Sequence, residues 1–445
     1  MNNQEIRAAI AIAVLFLVRM LGLFMILPVL PLLVSETGTP FLIGVAIGIY
    51  GLSQAVLQIP MGLASDRYSR KSVITLGLSV FILGSVVGMF AEDMTTIILA
   101  RFLQGCGAIA STLFALVSDV TRIEHRSKAM AIIGAGIGGS FGLAIVIGPI
   151  VGSYFGLSGI FAVSAILGGV GIALLWRIVP TPVSTSTNLD TGVVVHKLKS
   201  TLLNPSLIPI NVGVFFLHYF LTSSFLVFAL MFRALGIDDQ THSMYYLGII
   251  FFSVLLMAPF VWLSDRKGKS RVVMQGMIFI ISLGMFGLAI AEGKVQVVAS
   301  MVVFFLAFNL LETVLPAHMS RVVSAGTRGT GMGVYSSFQY LGTLFGGVVG
   351  GAILAFGDIA AVMYVNAAIG VFWFELSFGL RRQNDIESRT ISLQSSVESP
   401  DNKILEGLLS APGVLDVVII EQERIAYLKV DSATFKEADI EEFIR

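Results

Sequence analysis

Apolar residues run through this chain in long blocks separated by short polar or glycine-containing breaks. A membrane-spanning helix needs about 20 mainly apolar residues. Twelve stretches meet that requirement: residues 8–34, 42–64, 73–91, 95–118, 128–154, 158–179, 208–234, 243–264, 272–291, 295–319, 330–356 and 359–380. Connections such as Ser35 to Phe41, Ala91 to Met94 and Gly357 to Asp358 leave no room for folded domains between them. Backbone amides in hydrocarbon must bond within their own segment, so runs of this length predict helices and an all-α membrane bundle. The first run follows Arg7 with the polarity of a signal peptide. It is too long for an apolar signal core and no small-residue cleavage site follows, so it is expected to remain as the first helix.

Composition agrees with that pattern. Of 445 residues, 56% are apolar before the 46 Gly are counted and 13% are charged, where a soluble domain carries about 25% charge. A soluble enzyme is thereby excluded, and no paired carboxylates, nucleophile–base set or metal cluster stands out. The 28 Lys and Arg balance the 28 Asp and Glu, which gives no bias toward nucleic acid. The single cysteine, Cys106, excludes an internal disulfide framework and a multi-cysteine metal site, so neither metal nor cofactor is expected.

Charge is concentrated at the end of the chain. Residues 386–445 hold 6 basic and 12 acidic residues, and the 385 before them hold 22 and 16. A small acidic soluble domain therefore follows the membrane part. With the N-terminus inside, eighteen Lys and Arg fall in inner segments, among them Arg67, Arg70, Lys71, Arg126, Lys269 and Arg328, against Arg233 and Lys294 outside. This positive-inside asymmetry puts both termini and the tail in the cytoplasm of a multi-pass cell membrane protein.

The twelve spans read as two copies of six. Pro60-Met61-Gly62-Leu63-Ala64-Ser65-Asp66-Arg67-Tyr68-Ser69-Arg70 after the second span is echoed after the eighth by Pro259-Phe260-Val261-Trp262-Leu263-Ser264-Asp265-Arg266-Lys267-Gly268-Lys269. The predicted domains are a six-helix bundle over 1–180, a Ser-, Thr- and Asn-rich cytoplasmic linker over 181–207, a second bundle over 208–385 and the tail over 386–445.

Several motifs resemble the major facilitator superfamily, whose architecture is such a duplication. Gly62-x-x-x-Asp66-Arg67-x-Ser69-Arg70-Lys71 resembles its signature between helices 2 and 3, with Ser69 where the family usually has Gly. Arg101-x-x-Gln104-Gly105-x-Gly107 resembles the helix 4 motif, and Gly22-x5-Pro28-x-x-Pro31 the helix 1 motif of drug exporters. Gly148-Pro149-x-x-Gly152 resembles the helix 5 antiporter motif, with Ser153 in place of its last Gly and Ala144 and Ala135 at two upstream glycine positions. The likeness extends over essentially the whole chain toward bacterial members that carry an added C-terminal domain. It implies a proton-coupled exporter of the inner membrane.

The same resemblance implies a conformational switch at the inner surface, with Asp66 capping the start of helix 11 and Arg70 paired with Asp119. It also makes Arg101 a candidate for proton transfer. An anion at a helix N-terminus is favoured by about 0.3–1 kcal/mol when exposed and up to about 2 when partly buried.

Ionisable groups inside the spans are costly and therefore informative. Arg19, Arg101 and Glu312 each sit near the middle of an apolar run. Glu312 reads either as a proton carrier or as a static partner of an interior Arg. A carboxyl whose surroundings alternate changes its affinity for protons. Arg101 and Arg19 read as coupling groups or as structural clamps, and His218 as a titrating group or a packed ring. Gln54, Gln58, Gln104, Asn309, Gln339 and Asn366 suit hydrogen bonding to a mostly apolar ligand, or binding helix to helix. The glycine runs at 134–139 and 346–351 read as close-packing faces rather than phosphate loops.

The tail reads as β-α-β-β-α. A first strand lies in Arg389–Val397, a helix in Asn402–Ser410, strands in Val414–Glu421 and Ile425–Val430 joined at Gln422–Arg424, and a closing helix in Phe435–Ile444. That order is ferredoxin-like without its last strand, and with no Cys it excludes thiolate metal capture. Docking of the acidic tail on the basic inner loops and dimerisation through a strand edge are both open. The expected function is proton-coupled export of a small amphipathic compound by alternating access, with lipid, substrate and protons as partners. Uptake by symport and a transporter-derived sensor are the alternatives.

Overall fold

The computed structural model describes residues 1, 3–34, 38–121, 125–180, 195–265, 269–323, 328–378, 386–392, 402–420, 425–431 and 434–443. The first half of the bundle comprises α1 (Asn3–Phe24), the short α2 (Leu30–Leu33), α3 (Pro40–Arg67), α4 (Arg70–Met89), α5 (Met94–Cys106), α6 (Ala110–Val120) and α7 (Arg126–Arg177). After α8 (Val195–Leu202) the second half comprises α9 (Ile208–Ala234), α10 (His242–Asp265), α11 (Ser270–Ala289), α12 (Lys294–Val322), α13 (Arg328–Phe356) and α14 (Ile359–Ser377).

Eleven of the described segments are long and apolar enough to cross a membrane. Straight, α7 would be about 78 Å long, more than twice the roughly 30 Å hydrocarbon thickness. It is instead two helices joined at Gly156, whose φ of 62° and ψ of −161° interrupt the helix where only glycine goes without strain. The break falls between the predicted fifth and sixth spans. Apolar side chains face outward along the bundle, as on α10 with Leu247, Phe251, Phe252 and Leu255, a surface suited to lipid rather than water.

Two predicted runs are not continuous helices. The first helix stops at Phe24, and the chain turns through residues 25–29 before α2. Pro28 and Pro31 lack the N–H that a helix interior requires. The predicted run 95–118 divides into α5 and α6 where Gly107 touches α4, so closely that a Cβ there would lie 2.4 Å from the Gly77 carbonyl oxygen.

The halves meet along α3 and α13. A Cβ on Gly44 would lie 2.1 Å from the Gly347 carbonyl oxygen, and one on Gly351 would lie 2.7 Å from that of Pro40. The other edge of α13 touches α9, with Gly346 against the Tyr219 carbonyl. Small residues thus let α13 sit between two backbones. The run 134–139 differs from the expectation of a packing face. Gly136 approaches Ala13, but a Cβ at Gly134, Gly138 or Gly139 would meet nothing within 4 Å.

The seam runs from the face bearing the start of α3, called here the far face, toward mid-depth. Near it Phe141 of α7 packs among Phe225, Phe305 and Phe308 of the other half, at ring separations of 6.4, 6.3 and 5.6 Å. Phe24 backs it at 5.0 Å. These aromatic contacts and the glycine seam join the two halves.

The tail holds β1 (Ile386–Ser392), α15 (Asn402–Ser410), β2 (Val414–Ile420), β3 (Ile425–Asp431) and a 3-10 helix over Glu437–Phe443. The strands are antiparallel in the order β1-β3-β2. The first strand starts three residues earlier than predicted and ends at Ser392, and the closing element is 3-10 rather than α. The proposed turn at Gln422–Arg424 lies outside the described residues. Leu408, Val417, Leu428, Val430 and Ile440 form a separate small core. The tail touches the bundle at the end of α12, where the buried Lys429 Nζ donates to the carbonyls of Val322 and Val323. Basic groups complement the terminal carbonyls of a helix.

Candidate functional site

Arg19 is the one charged residue in the apolar middle of α1, and it is 2% exposed. Its Nη2 donates to the Tyr50 hydroxyl at 3.1 Å. One turn along α3, Gln54 Nε2 donates to the same hydroxyl at 3.1 Å. Arg101 of α5 is fully buried, with its guanidinium 4.8 Å from the centroid of the Tyr50 ring. Arg101 Nε donates to the Ala46 carbonyl at 3.4 Å and Nη1 to Gln104 Oε1 at 2.9 Å. Gln104 Nε2 passes the chain on to Ser85 Oγ at 2.9 Å. Tyr50 is therefore held at its hydroxyl by one cation and on its face by another, and a desolvated cation–π contact is worth about 2 kcal/mol. Among the described residues neither cation has a carboxylate within ion-pair distance. Arg19 Nη1, Arg101 Nη2 and Gln54 Oε1 are buried without a hydrogen-bond partner.

The second half supplies a carboxylate. Glu312 of α12 receives Gln339 Nε2 of α13 at 3.4 Å, and the same amide nitrogen lies 2.7 Å from His218 Nε2 of α9. His218 Nδ1 is 3.2 Å from the Val214 carbonyl, which requires the proton on Nδ1 and leaves Nε2 to accept from Gln339. His218 Nε2 and Glu312 Oε2 are 3.7 Å apart, beyond hydrogen-bond reach. Glu312 Oε2 has no partner, although the side chain as a whole keeps 37% of its surface accessible.

The two clusters adjoin at the seam. Tyr340 of α13 packs with Tyr50 and Leu23, and its neighbour in the chain, Gln339, is the residue that bonds Glu312. Gly51 permits this approach, since a Cβ there would lie 2.4 Å from the Tyr340 carbonyl oxygen. Mid-depth in the bundle, Arg19 of one half and Glu312 of the other are thus linked through the contact of Tyr50 with Tyr340.

Other sequence candidates lie elsewhere. Asn309 donates to Ser253 Oγ on α10 at 3.2 Å and Asn366 to Ser223 Oγ at 2.7 Å, so both tie helices together. Gln58 is buried with its Oε1 unpartnered. Gly148 packs where a Cβ would lie 2.3 Å from the Met25 carbonyl, and Gly152 lies against Val29. With Pro149 between them, the helix 5 motif meets the turn at the end of α1 that holds Pro28. Tyr50, Tyr340 and Ser85 escaped the sequence reading because an aromatic or a serine in an apolar run carries no mark of its partners.

At the face bearing the chain ends, Arg70 Nε donates to Asp119 Oδ2 at 2.9 Å and Nη1 to Ser65 Oγ at 2.6 Å. Both charged side chains are at most 2% exposed. Ser65 Oγ donates in turn to the Gly62 carbonyl. Lys71 Nζ donates to the Val179 carbonyl and lies over Trp176, anchoring the end of α7. Arg67 is exposed. The side chains of Asp66, Asp265 and Arg328 lie outside the described residues.

Known proteins place this arrangement. The family description Major Facilitator Superfamily matches residues 12–308 and 210–420. Inner membrane transport protein YajR of Escherichia coli (strain K12) is 37% identical, covering 100% of this chain and 98% of that protein. Multidrug resistance protein 2 of Bacillus subtilis (strain 168) is 26% identical over 84% of this chain and 96% of that protein. The crystal structure of a D-xylose-proton symporter superposes with a TM-score of 0.66 at 14% identity, covering 85% of this chain and 98% of that one.

Proposed function

The chain belongs to the Major Facilitator Superfamily, and from that membership we propose that it is a proton-coupled secondary transporter of the bacterial inner membrane that exports a small amphipathic compound. The observation that carries the reading is the interior of the bundle. Ionisable groups cost several kcal/mol at such depth, yet Arg19 and Glu312 lie on either half of the Tyr50–Tyr340 contact, with Arg101 on the Tyr50 ring, and all three leave hydrogen-bonding atoms over. A carboxyl in that position gains and loses a proton as rocking of the halves changes what it faces. Glu312 carries the proton, while Gln339 and His218 orient it. Arg101 and Arg19 set the field through Tyr50. The far face is closed in this conformation, and the Arg70–Asp119 pair belongs to the switch at the cytoplasmic face. Export, rather than uptake, draws support from the similarity to a multidrug resistance protein.

The tail is read as a ferredoxin-like module without its last strand, supported by the strand order β1-β3-β2 with α15 following β1. The contact of Lys429 with the end of α12 supports a regulatory role for the tail rather than that of a tethered appendage. Deleting 386–445 should alter transport kinetics or their salt response, and unchanged behaviour would refute that role.

The transporter reading is tested with the full chain in proteoliposomes carrying an imposed pH gradient. Solute flux that follows the gradient and collapses with a protonophore is expected. Ligand binding without net flux under any gradient would instead make the protein a sensor.

A further inference from the structure

We infer that the interior site takes a small zwitterion, its anionic group held by Arg19 and its cationic group by Glu312, with the apolar body against Tyr50 and Tyr340. The inference rests on the transporter reading of this site and names the class of solute. In the first half Arg101 is engaged by Tyr50, Ala46 and Gln104, whereas Arg19 has no carboxylate within ion-pair distance among the described residues and its Nη1 has no hydrogen-bond partner. The second half contributes one carboxylate, and its Oε2 has no partner. His218 adds no charge there, because its proton is committed to the Val214 carbonyl at Nδ1.

Each simpler solute leaves a buried charge unanswered. A monocation would satisfy Glu312 and leave Arg19 uncompensated, and a monoanion would leave an ionised Glu312 uncompensated. An unanswered buried charge is strongly unfavourable. A zwitterion answers both, and Tyr50 and Tyr340, buried where the halves meet, give its apolar body aromatic surface when the halves part. Glu312 keeps 37% of its side-chain surface accessible, whereas Arg19 is covered. The solute therefore meets the carboxylate first and reaches the guanidinium as the halves part along α3 and α13.

The test uses the purified full chain in detergent without any gradient, so proton coupling and this inference can fail separately. Four matched sets of probes are compared by thermal stabilisation and affinity: amino acids and dipeptides with apolar side chains, the same compounds N-acetylated, the same esterified, and the same blocked at both ends. Binders are expected in the unblocked set. Arg19→Gln should weaken them by about tenfold or more, the cost of losing a charge-assisted bond, and Arg19→Lys should recover much of the loss. Glu312→Gln should move the preference to the N-acetylated set, a switch that decides the matter even if Arg19→Gln does not fold. The inference is overturned if esters or doubly blocked compounds bind best, if Arg19→Gln leaves affinity unchanged, or if no unblocked compound stabilises the protein.

Discussion

Substituting the glycines of the α3–α13 seam should open the far face. A Cβ on Gly44 would lie 2.1 Å from the Gly347 carbonyl oxygen and 2.9 Å from the Gly351 Cα, and one on Gly347 would lie 2.4 Å from the Gly44 carbonyl oxygen. These neighbours are backbone, so no rotamer change relieves the clash and the helices themselves must part by about 1 Å. Overpacking of this kind costs about 1–3 kcal/mol. Charged only to the conformation in which the seam is closed, it shifts the balance toward the far-open form by about 5- to 150-fold. The assay is pulsed electron paramagnetic resonance between spin labels at Phe41 and Phe356, both exposed at the far face, in a Cys106→Ala background. Gly44→Ala and Gly347→Ala should each add a longer-distance population. Gly138→Ala, where a Cβ meets nothing within 4 Å, should leave the distances unchanged. Identical distributions in all three variants would refute the claim that the seam holds the far face shut.

Asp119→Asn should lower the stability of the folded protein, because it removes the negative charge paired with the buried Arg70 guanidinium; a melting curve within error of wild type would contradict this. Tyr50→Phe removes the acceptor shared by Arg19 and Gln54 and should destabilise by about 1–3 kcal/mol per stranded donor, with a larger loss of transport than of folded protein, read by flux per mole of reconstituted protein. Asp93, at the start of α5, is held below the ordinary carboxylate range chiefly by the backbone N–H of Thr96. Its contribution to stability should be complete above the ordinary range and lost as pH falls through the depressed value. Asp93→Asn should remove that part of the acid dependence of melting, and an unaltered dependence would count against the cap.

Much of the fold was legible because a membrane leaves the sequence little choice. Apolar runs must be helices, and the turn between the fifth and sixth spans is marked by residues around Gly156. The breaks at Pro28 and Gly107 were harder to read, since an apolar run with a proline or glycine inside it continues as often as it stops, and what stops it here is contact with a neighbouring helix. Arg19, Arg101 and Glu312 stood out as charges in apolar surroundings. Tyr50 and Tyr340 did not, since their hydroxyls acquire meaning only when Arg19 and Gln54 converge on one and α13 carries the other to the seam. For Asn309, which the sequence left open between ligand binding and helix-to-helix bonding, packing decides. It lies one turn from Glu312 in sequence, yet its amide turns to Ser253 on α10. The face of a helix follows from spacing, whereas the partner of a side chain follows from packing.

The central claim is that Glu312 exchanges its proton with the solute. In inside-out vesicles under an imposed pH gradient, proton movement is recorded as each unblocked amino acid or dipeptide is added, for wild type and for Glu312→Gln. Wild-type protein should move protons when a binding compound is added, and Glu312→Gln should move none, either with unblocked compounds or with the N-acetylated ones that it is expected to prefer. Proton movement of wild-type size in a Glu312→Gln protein that still binds would return Glu312 to a structural role and contradict the account.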